Sequence, residues 1–257
     1  MVNFKGVVLL LFLTYPVFGA GVTTDGIQFW AKMDETSGVM TTEFINNATG
    51  TLLNGAGFTA GHCNNGVNLD NVNDHVHFNW SDLPAWFKTN QSSITVECWI
   101  NADDWDANYS EIVRGMQSDG WMAMRVSKFS GIPKVQITTL RLLTSYKNGT
   151  QVVSSGTWHQ IGFAYDNVNL YFFLDGVYDT PQALTGPIQP YSEMTGLDFG
   201  CTYTNESLDG VIDEVRFYSK MLSSDELLNN YNNCTTETPE APLIRRKKLS
   251  RVIENGE

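Results

Sequence analysis

Ser93-Ile94-Thr95-Val96-Glu97-Cys98-Trp99-Ile100 alternates without a break: Ile94, Val96, Cys98 and Ile100 share one face, and Thr95, Glu97 and Trp99 share the other. A period of two, with β-branched residues on the apolar side, is that of a half-buried strand. The same rhythm recurs downstream in Gly120-Trp121-Met122-Ala123-Met124-Arg125-Val126 and in Lys134-Val135-Gln136-Ile137. In the stretch from Asn169 to Tyr178, Asp175-Gly176 separates two β-rich runs and supplies the positive backbone angles of a tight type I′ turn. Leu170, Phe172 and Leu174 then point one way, Tyr171 and Phe173 the other. Helical periodicity is almost absent. One short helix is expected where Ser223-Ser224-Asp225-Glu226 offers a capping box, with Leu227 and Tyr231 as its buried edge. Many short strands punctuated by turns predict an all-β sandwich or barrel, with one short C-terminal helix.

The segments flanking this pattern differ in character. Residues 1–19 join one positive charge at Lys5, an apolar run from Val7 to Phe18 and small residues Gly19-Ala20-Gly21, the make-up of a signal peptide cleaved after Gly19. The run falls short of the roughly 20 apolar residues of a membrane span, and no later segment reaches that length. Residues 22–234 suffice for one sandwich and its core. Residues 235–257 carry no apolar periodicity and read as a disordered basic tail, whose run Arg245-Arg246-Lys247-Lys248 fits a processing site, a polyanion-binding patch or a solubilising element. The chain has 16 Lys+Arg against 28 Asp+Glu. Setting aside Lys5 and the tail's five basic and four acidic residues leaves 10 against 24, near −14, which repels phosphate backbones and argues against nucleic acid as a partner.

Cys63, Cys98, Cys201 and Cys234 are an even number without C-x-x-C spacing, so a secreted chain would hold them as two disulfides. Three connectivities are possible. Cys63–Cys98 with Cys201–Cys234 is favoured because it closes one short loop in each half. Asn-x-Ser/Thr sequons stand at Asn47, Asn79, Asn90, Asn108, Asn148, Asn205 and Asn233 and are expected at the surface if glycosylated.

Four segments resemble the laminin-G-like domains of the concanavalin A-like lectin and glucanase type. Met33-Asp34-Glu35-Thr36-Ser37-Gly38 is similar to their opening strand and turn. The stretch Val67-Asn68-Leu69-Asp70-Asn71-Val72-Asn73-Asp74-His75-Val76 is similar to their Leu-x-Phe-Asp-Gly-x-Asp-Asp-Tyr-Val segment, with Asn71 in place of Gly and His75 in place of Tyr. Thr157-Trp158-His159-Gln160-Ile161 and the Leu174-Asp175-Gly176 turn resemble the middle strands. Gly210 to Tyr218, followed by Met221-Leu222-Ser223, resembles the closing strand and its helix. The order holds over residues 25–231. The resemblance implies an all-β, two-sheet antiparallel jelly-roll sandwich with one short C-terminal helix, and it leaves function open, since the fold carries lectins, adhesion modules and glycosidases.

Glycosidases of this fold align carboxylates as Glu-x-Asp-x-x-Glu along one strand, and no such run occurs here. Asp213 and Glu214 are adjacent, so they project to opposite faces and cannot cooperate. No Gly-x-Ser-x-Gly is present, and His159, beside Trp158, reads as structural. Asp70, Asn71, Asn73 and Asp74 put four oxygen-bearing side chains within five residues, and parity places Asp213 with Val211, Val215 and Phe217. Two readings stand: a calcium site of Asp70, Asn73, Asp74 and Asp213, or a run of turns with Asp213 accepting backbone N–H bonds. Trp80, Trp86, Trp105 and Tyr109 lie in polar stretches and are candidate glycan contacts. The expected function is that of a secreted, extracellular, non-catalytic recognition module for a glycan or glycoprotein, with calcium as its one candidate cofactor. The alternatives are a structural or adhesion protein that binds another protein, and a divergent glycoside hydrolase.

Overall fold

The computed structural model describes residues 21–105, 109–116, 122–128, 131–139, 146–189, 194–200 and 206–234. The signal-peptide segment, the basic tail, Cys201, Asn108 and Asn205 lie outside the described residues. Within them the strands are β1 (Ile27–Ala31), β2 (Met40–Thr42), β3 (Thr49–Leu53), β4 (Gly57–Ala60), β5 (Asn65–Asp70), β6 (His75–Asn79), β7 (Ile94–Ala102), β8 (Tyr109–Met116), β9 (Ala123–Ser127), β10 (Lys134–Thr139), β11 (Lys147–Asn148), β12 (His159–Tyr165), β13 (Asn169–Leu174), β14 (Val177–Tyr178), β15 (Gln182–Ala183), β16 (Gly196–Phe199) and β17 (Asp209–Tyr218), followed by helix α1 (Ser224–Asn232). One sheet has nine strands in the order β14-β13-β12-β7-β17-β5-β4, with β1 beside β17 and β15 beside β13. The other has eight, β11-β10-β9-β8-β16-β6-β3-β2. Pairing is antiparallel throughout. The fold is the expected sandwich. No helix among the described residues is long and apolar enough to cross a membrane.

The core lies between the sheets. β7 sends Ile94, Val96, Cys98 and Ile100 into it, and β12 adds Ile161 and Phe163. The Asp175-Gly176 turn has φ of 50° and 76°, and Leu174 pairs with Val177, which is the two-residue geometry that positive angles permit. Leu170 and Phe172 enter the core as the alternation requires. The capping box forms: Ser223 Oγ accepts from the Glu226 N–H at 3.3 Å, and the Glu226 carboxylate accepts from the Ser223 N–H at 2.9 Å.

Three expectations are corrected. β7 is buried on both faces rather than half-buried, because α1 and the segment around Cys63 cover its Thr95, Glu97 and Trp99 side. The buried edge of α1 includes the polar Asn230, while Tyr231 is half-buried and stacks on Trp99. The cysteines pair as Cys63–Cys234, with Cα atoms 5.5 Å apart, and the Cys98 thiol is free in the core. The favoured pairing assumed closure within each half. In the folded chain Cys98 faces inward from the middle of β7, whereas the end of α1 returns to the loop before β5.

Candidate functional site

In the eight-stranded sheet the alternation that fills the core also fixes what faces outward. Val76 and Phe78 of β6, Leu197 and Phe199 of β16, Met124 and Val126 of β9, and Val135 and Ile137 of β10 point inward. The intervening His75, His77, Asp198, Arg125 and Gln136 therefore point outward. A bulge in β8 between Glu111 and Val113 lets Ile112 and Val113 both enter the core and keeps Glu111 opposite Arg125. The result is a polar chain across six strands. His77 Nδ1 lies 2.5 Å from Asp198 Oδ1, and Asp198 is registered against Arg114. Arg114 and Arg125 approach Glu111 Oε1 at 3.7 and 3.5 Å. Arg125 Nε donates to Gln136 Oε1 at 2.7 Å, and Gln136 Nε2 to Asn148 Oδ1 at 2.6 Å. The Arg125 guanidinium also sits 3.7 Å from the Tyr109 ring centre and 3.9 Å from Glu206 Oε2.

Burial pushes the Glu111 carboxyl up to about 7 in spite of the two guanidinium groups, and its Oε2 is buried without a hydrogen-bond partner. The hydrogen bond to Asp198 raises His77. Arg114, Arg125, His75 and His77 keep part of their side chains in solvent. The partly hydrated arginines and histidines can offer a ligand charge-assisted donors, while the Glu111 carboxyl lies buried beneath them.

The outward face of the nine-stranded sheet is different. Glu97, Arg216 and Glu214 form a salt-bridged cluster with no solvent exposure beyond 1%, joined by Trp30, Tyr218, Gln160 and Asn230. Glu214 has φ 57°, and the register of β17 shifts between Asp213 and Arg216. This bulge overturns the parity argument for Asp213. Ile212, Val215 and Phe217 face the core, whereas Asp213 pairs with Trp99 on the outer side. Asp213 and Glu214 consequently share that side rather than facing opposite ways. Asp213 Oδ2 accepts the Cys63 N–H at 2.8 Å, its Oδ1 has no partner, and burial, then Glu214, push it up to about 8.

The four calcium candidates do not converge. Asp213 lies beside Gly66, four residues along β5 from Asp70, a separation of about 13 Å at the rise of a strand. Asp70 Oδ1 caps the turn by accepting the Val72 N–H, and Asn73 contributes its carbonyl oxygen to Asn54. Asp70 and Asp74 do remain close enough that Asp70, after burial, raises Asp74. Among the aromatic candidates, Trp105 is in the core and offers no platform. Trp80 and Trp86 pack half-buried against it, and Tyr109 alone adjoins the polar chain. Asn47, Asn79, Asn90 and Asn148 are exposed, while Asn233 is half-buried and donates to the Asn229 carbonyl oxygen.

A family model described as the concanavalin A-like lectin/glucanases superfamily matches residues 70–228. The chain belongs to this superfamily. A search of curated proteins finds none that matches. Solved structures similar to this concanavalin A-like chain include domain 4 of AbnA, a GH43 extracellular arabinanase from Geobacillus stearothermophilus, in complex with arabinotriose. It is 13% identical with a TM-score of 0.63, and the match covers 80% of this chain and 98% of that one. Trypanosoma rangeli sialidase, in complex with a difluorinated sugar acid, is 11% identical with a TM-score of 0.61, over 82% of this chain and 33% of the sialidase. The binding domain of botulinum neurotoxin serotype G is 12% identical with a TM-score of 0.63, over 80% and 50%. At these identities the likeness establishes the fold.

Glu111, Arg114, Arg125, Gln136 and Asp198 were not singled out in the sequence of this concanavalin A-like chain. Their signal was present. Each is a charged or amide residue at the off-phase position of a strand whose in-phase positions are apolar, and the four strands that carry them proved to be neighbours.

Proposed function

We propose that this chain is a secreted recognition module that binds a glycan across the outward face of the eight-stranded sheet. The observation that carries the reading is the Arg125 cluster: a guanidinium that keeps solvent contact lies within 4 Å of the Gln136 amide and of Glu111, whose Oε2 has no hydrogen-bond partner. Sugar hydroxyls can accept from the guanidinium and imidazole donors that keep solvent contact there. The disulfide supports an oxidising compartment, as does the signal-like segment 1–19. In a glycan array, saturable binding competed by free sugar is expected, weakened about tenfold or more in Arg125→Ala and Gln136→Ala. Binding that persists on deglycosylated protein targets, unchanged in both variants, would favour the adhesion reading instead.

One observation favours hydrolysis as a second reading. Glu111 and Glu206 both approach Arg125 Nη1, at 3.5 and 3.9 Å, so the two carboxylates stand no farther apart than the roughly 6.5–9.5 Å of an inverting pair. Polysaccharide turnover abolished by Glu111→Gln would establish it. Calcium is proposed at Asp70 and Asp74 alone, where Asn71 Oδ1 and Asp74 Oδ1 are buried without partners. Saturating calcium, at one hundred times its dissociation constant, adds about 2.7 kcal/mol to stability. The thermal midpoint should then rise over that in chelator, and Asp74→Asn should remove the shift.

A further inference from the structure

Between the two sheets the chain crosses from β11 to β12 through residues 149–158, and the crossing is pinned at both ends. The Val153 N–H donates to the Pro133 carbonyl at 3.0 Å, and the Gly156 N–H to the Ala102 carbonyl at 2.7 Å. This holds the exposed Ser154 over the first residue of β12. Ser154 Oγ lies 2.7 Å from His159 Nε2, and His159 Nδ1 lies 2.8 Å from Asp175 Oδ2. Asp175 is itself fixed, because it occupies the β13–β14 turn and its Oδ1 accepts the Gln160 N–H at 3.0 Å. A carboxylate on Nδ1 sets the imidazole tautomer, leaving Nε2 as the acceptor for the serine proton. Hydroxyl, imidazole and carboxylate thus stand in the order and at the distances of a nucleophilic relay.

We propose that Ser154 is an acyl-accepting nucleophile, activated by His159 and oriented by Asp175, that reacts with esters. In the first step Ser154 Oγ bonds to the acyl carbon as its proton passes to His159 Nε2. The tetrahedral adduct then expels the alcohol or phenol, which takes that proton. Water repeats the sequence on the acyl-serine, releasing the carboxylic acid and returning the proton to Ser154. Two details narrow the substrate. The N–H groups of Val153 and Gly156 are spent on carbonyls, so neither can stabilise an oxyanion, and an ester with a good leaving group is favoured over an amide. Val152 and Ile132, on the two stretches joined by the Val153–Pro133 bond, are 53% and 46% exposed, an apolar border suited to a short acyl chain. The relay lies on the crossing loop and β12, apart from the Arg125 face, so it stands or falls independently of the glycan reading.

The test treats the full chain with p-nitrophenyl acetate and, separately, with a fluorophosphonate, and maps the adduct by peptide mass. Modification of Ser154 is expected. In Ser154→Ala, whose side chain is at the surface, release of p-nitrophenol should fall to the level of a denatured control. Asp175→Asn and His159→Gln should slow it on the order of 10²-fold or more. Should the histidine variant fail to fold, Ser154→Cys with iodoacetamide replaces it, and faster alkylation than at a free cysteine in a denatured chain is expected. Equal rates in the parent and Ser154→Ala, an adduct elsewhere, or an unreactive Ser154→Cys would overturn the proposal and leave the relay as a loop anchor.

Discussion

Arg216 and Arg125 each serve two glutamates, on opposite outer faces of the sandwich, and they differ in what lies above them. Arg216, Glu97 and Glu214 are sealed under α1, Trp30 and the disulfide-linked loop. Burial opposes the Arg216 charge, but the adjacent Glu214 and Glu97 outweigh it and raise its pKa, while burial raises both carboxylates because one guanidinium cannot offset two. Arg125 keeps 14% of its side chain in water, and its neighbour Glu111 holds one oxygen without a partner. The same residue types therefore do different work. A covered cluster turns its hydrogen bonds inward and fixes the fold, whereas a partly hydrated guanidinium leaves donors for a ligand.

The comparison breaks most sharply if the two arginines prove equivalent. Arg216→Met strands two buried carboxylates and should lower unfolding stability by about 3–5 kcal/mol in urea titration. Arg125→Met should cost about 1 kcal/mol or less, because Glu111 can keep its proton and Arg125 is partly hydrated, yet it should remove glycan binding. Similar losses in the two variants would mean that cover does not decide the role. Next in size is the staple over the closed face. Replacing Cys63 and Cys234 by Ser should cost about 2–5 kcal/mol, with Arg125-dependent binding retained by the fraction still folded. Loss of binding from the fully folded variant would show that the faces are coupled.

A smaller effect separates two buried acids by pH. Glu111 is raised from 4.5 to about 7 and Asp213 from 3.8 to about 8, so the folded state holds both protons more tightly than the unfolded chain does. Each contribution is complete below the unfolded value and is lost as pH rises through the folded one. Stability should therefore decline from pH 4.5 to 7 on account of Glu111, and Glu111→Gln should flatten that span by on the order of 1–3 kcal/mol. Asp213→Asn should instead flatten the decline that continues to pH 8. A parent protein whose stability is level across both spans would remove the pH argument for either acid.

Local physics was legible in the sequence. The inward face of β7, the positive angles at Asp175-Gly176 and the Ser223–Glu226 box depend on residues a few positions apart, and each formed as expected, whereas the cover on the second face of β7 comes from distant chain. Parity failed at Asp213, because counting by twos presumes an unbroken strand and the bulge at Glu214 inserts a residue without a sequence signal as plain as Gly. The disulfide failed for a related reason. Cys63 and Cys234 are 171 residues apart, and only the antiparallel closure of β17 against β5 brings their segments together. The Arg125 face needed the strand order itself, since β16 stands between β6 and β8 although 79 residues of sequence separate it from β8 and 116 from β6.

Gly21 accepts from the Asn229 side chain, the Thr23 N–H donates to Asn230 at 2.7 Å, and Cys234 is locked to Cys63. Both ends of the described residues, Gly21 and Cys234, consequently lie on the helix-covered side of the sandwich. Anything joined to those ends, whether a partner domain, a tether or a bead surface, would hold the molecule by its back. The Arg125 sheet would then look outward, free of steric interference from its own attachments, and copies fixed side by side would display their faces in one direction.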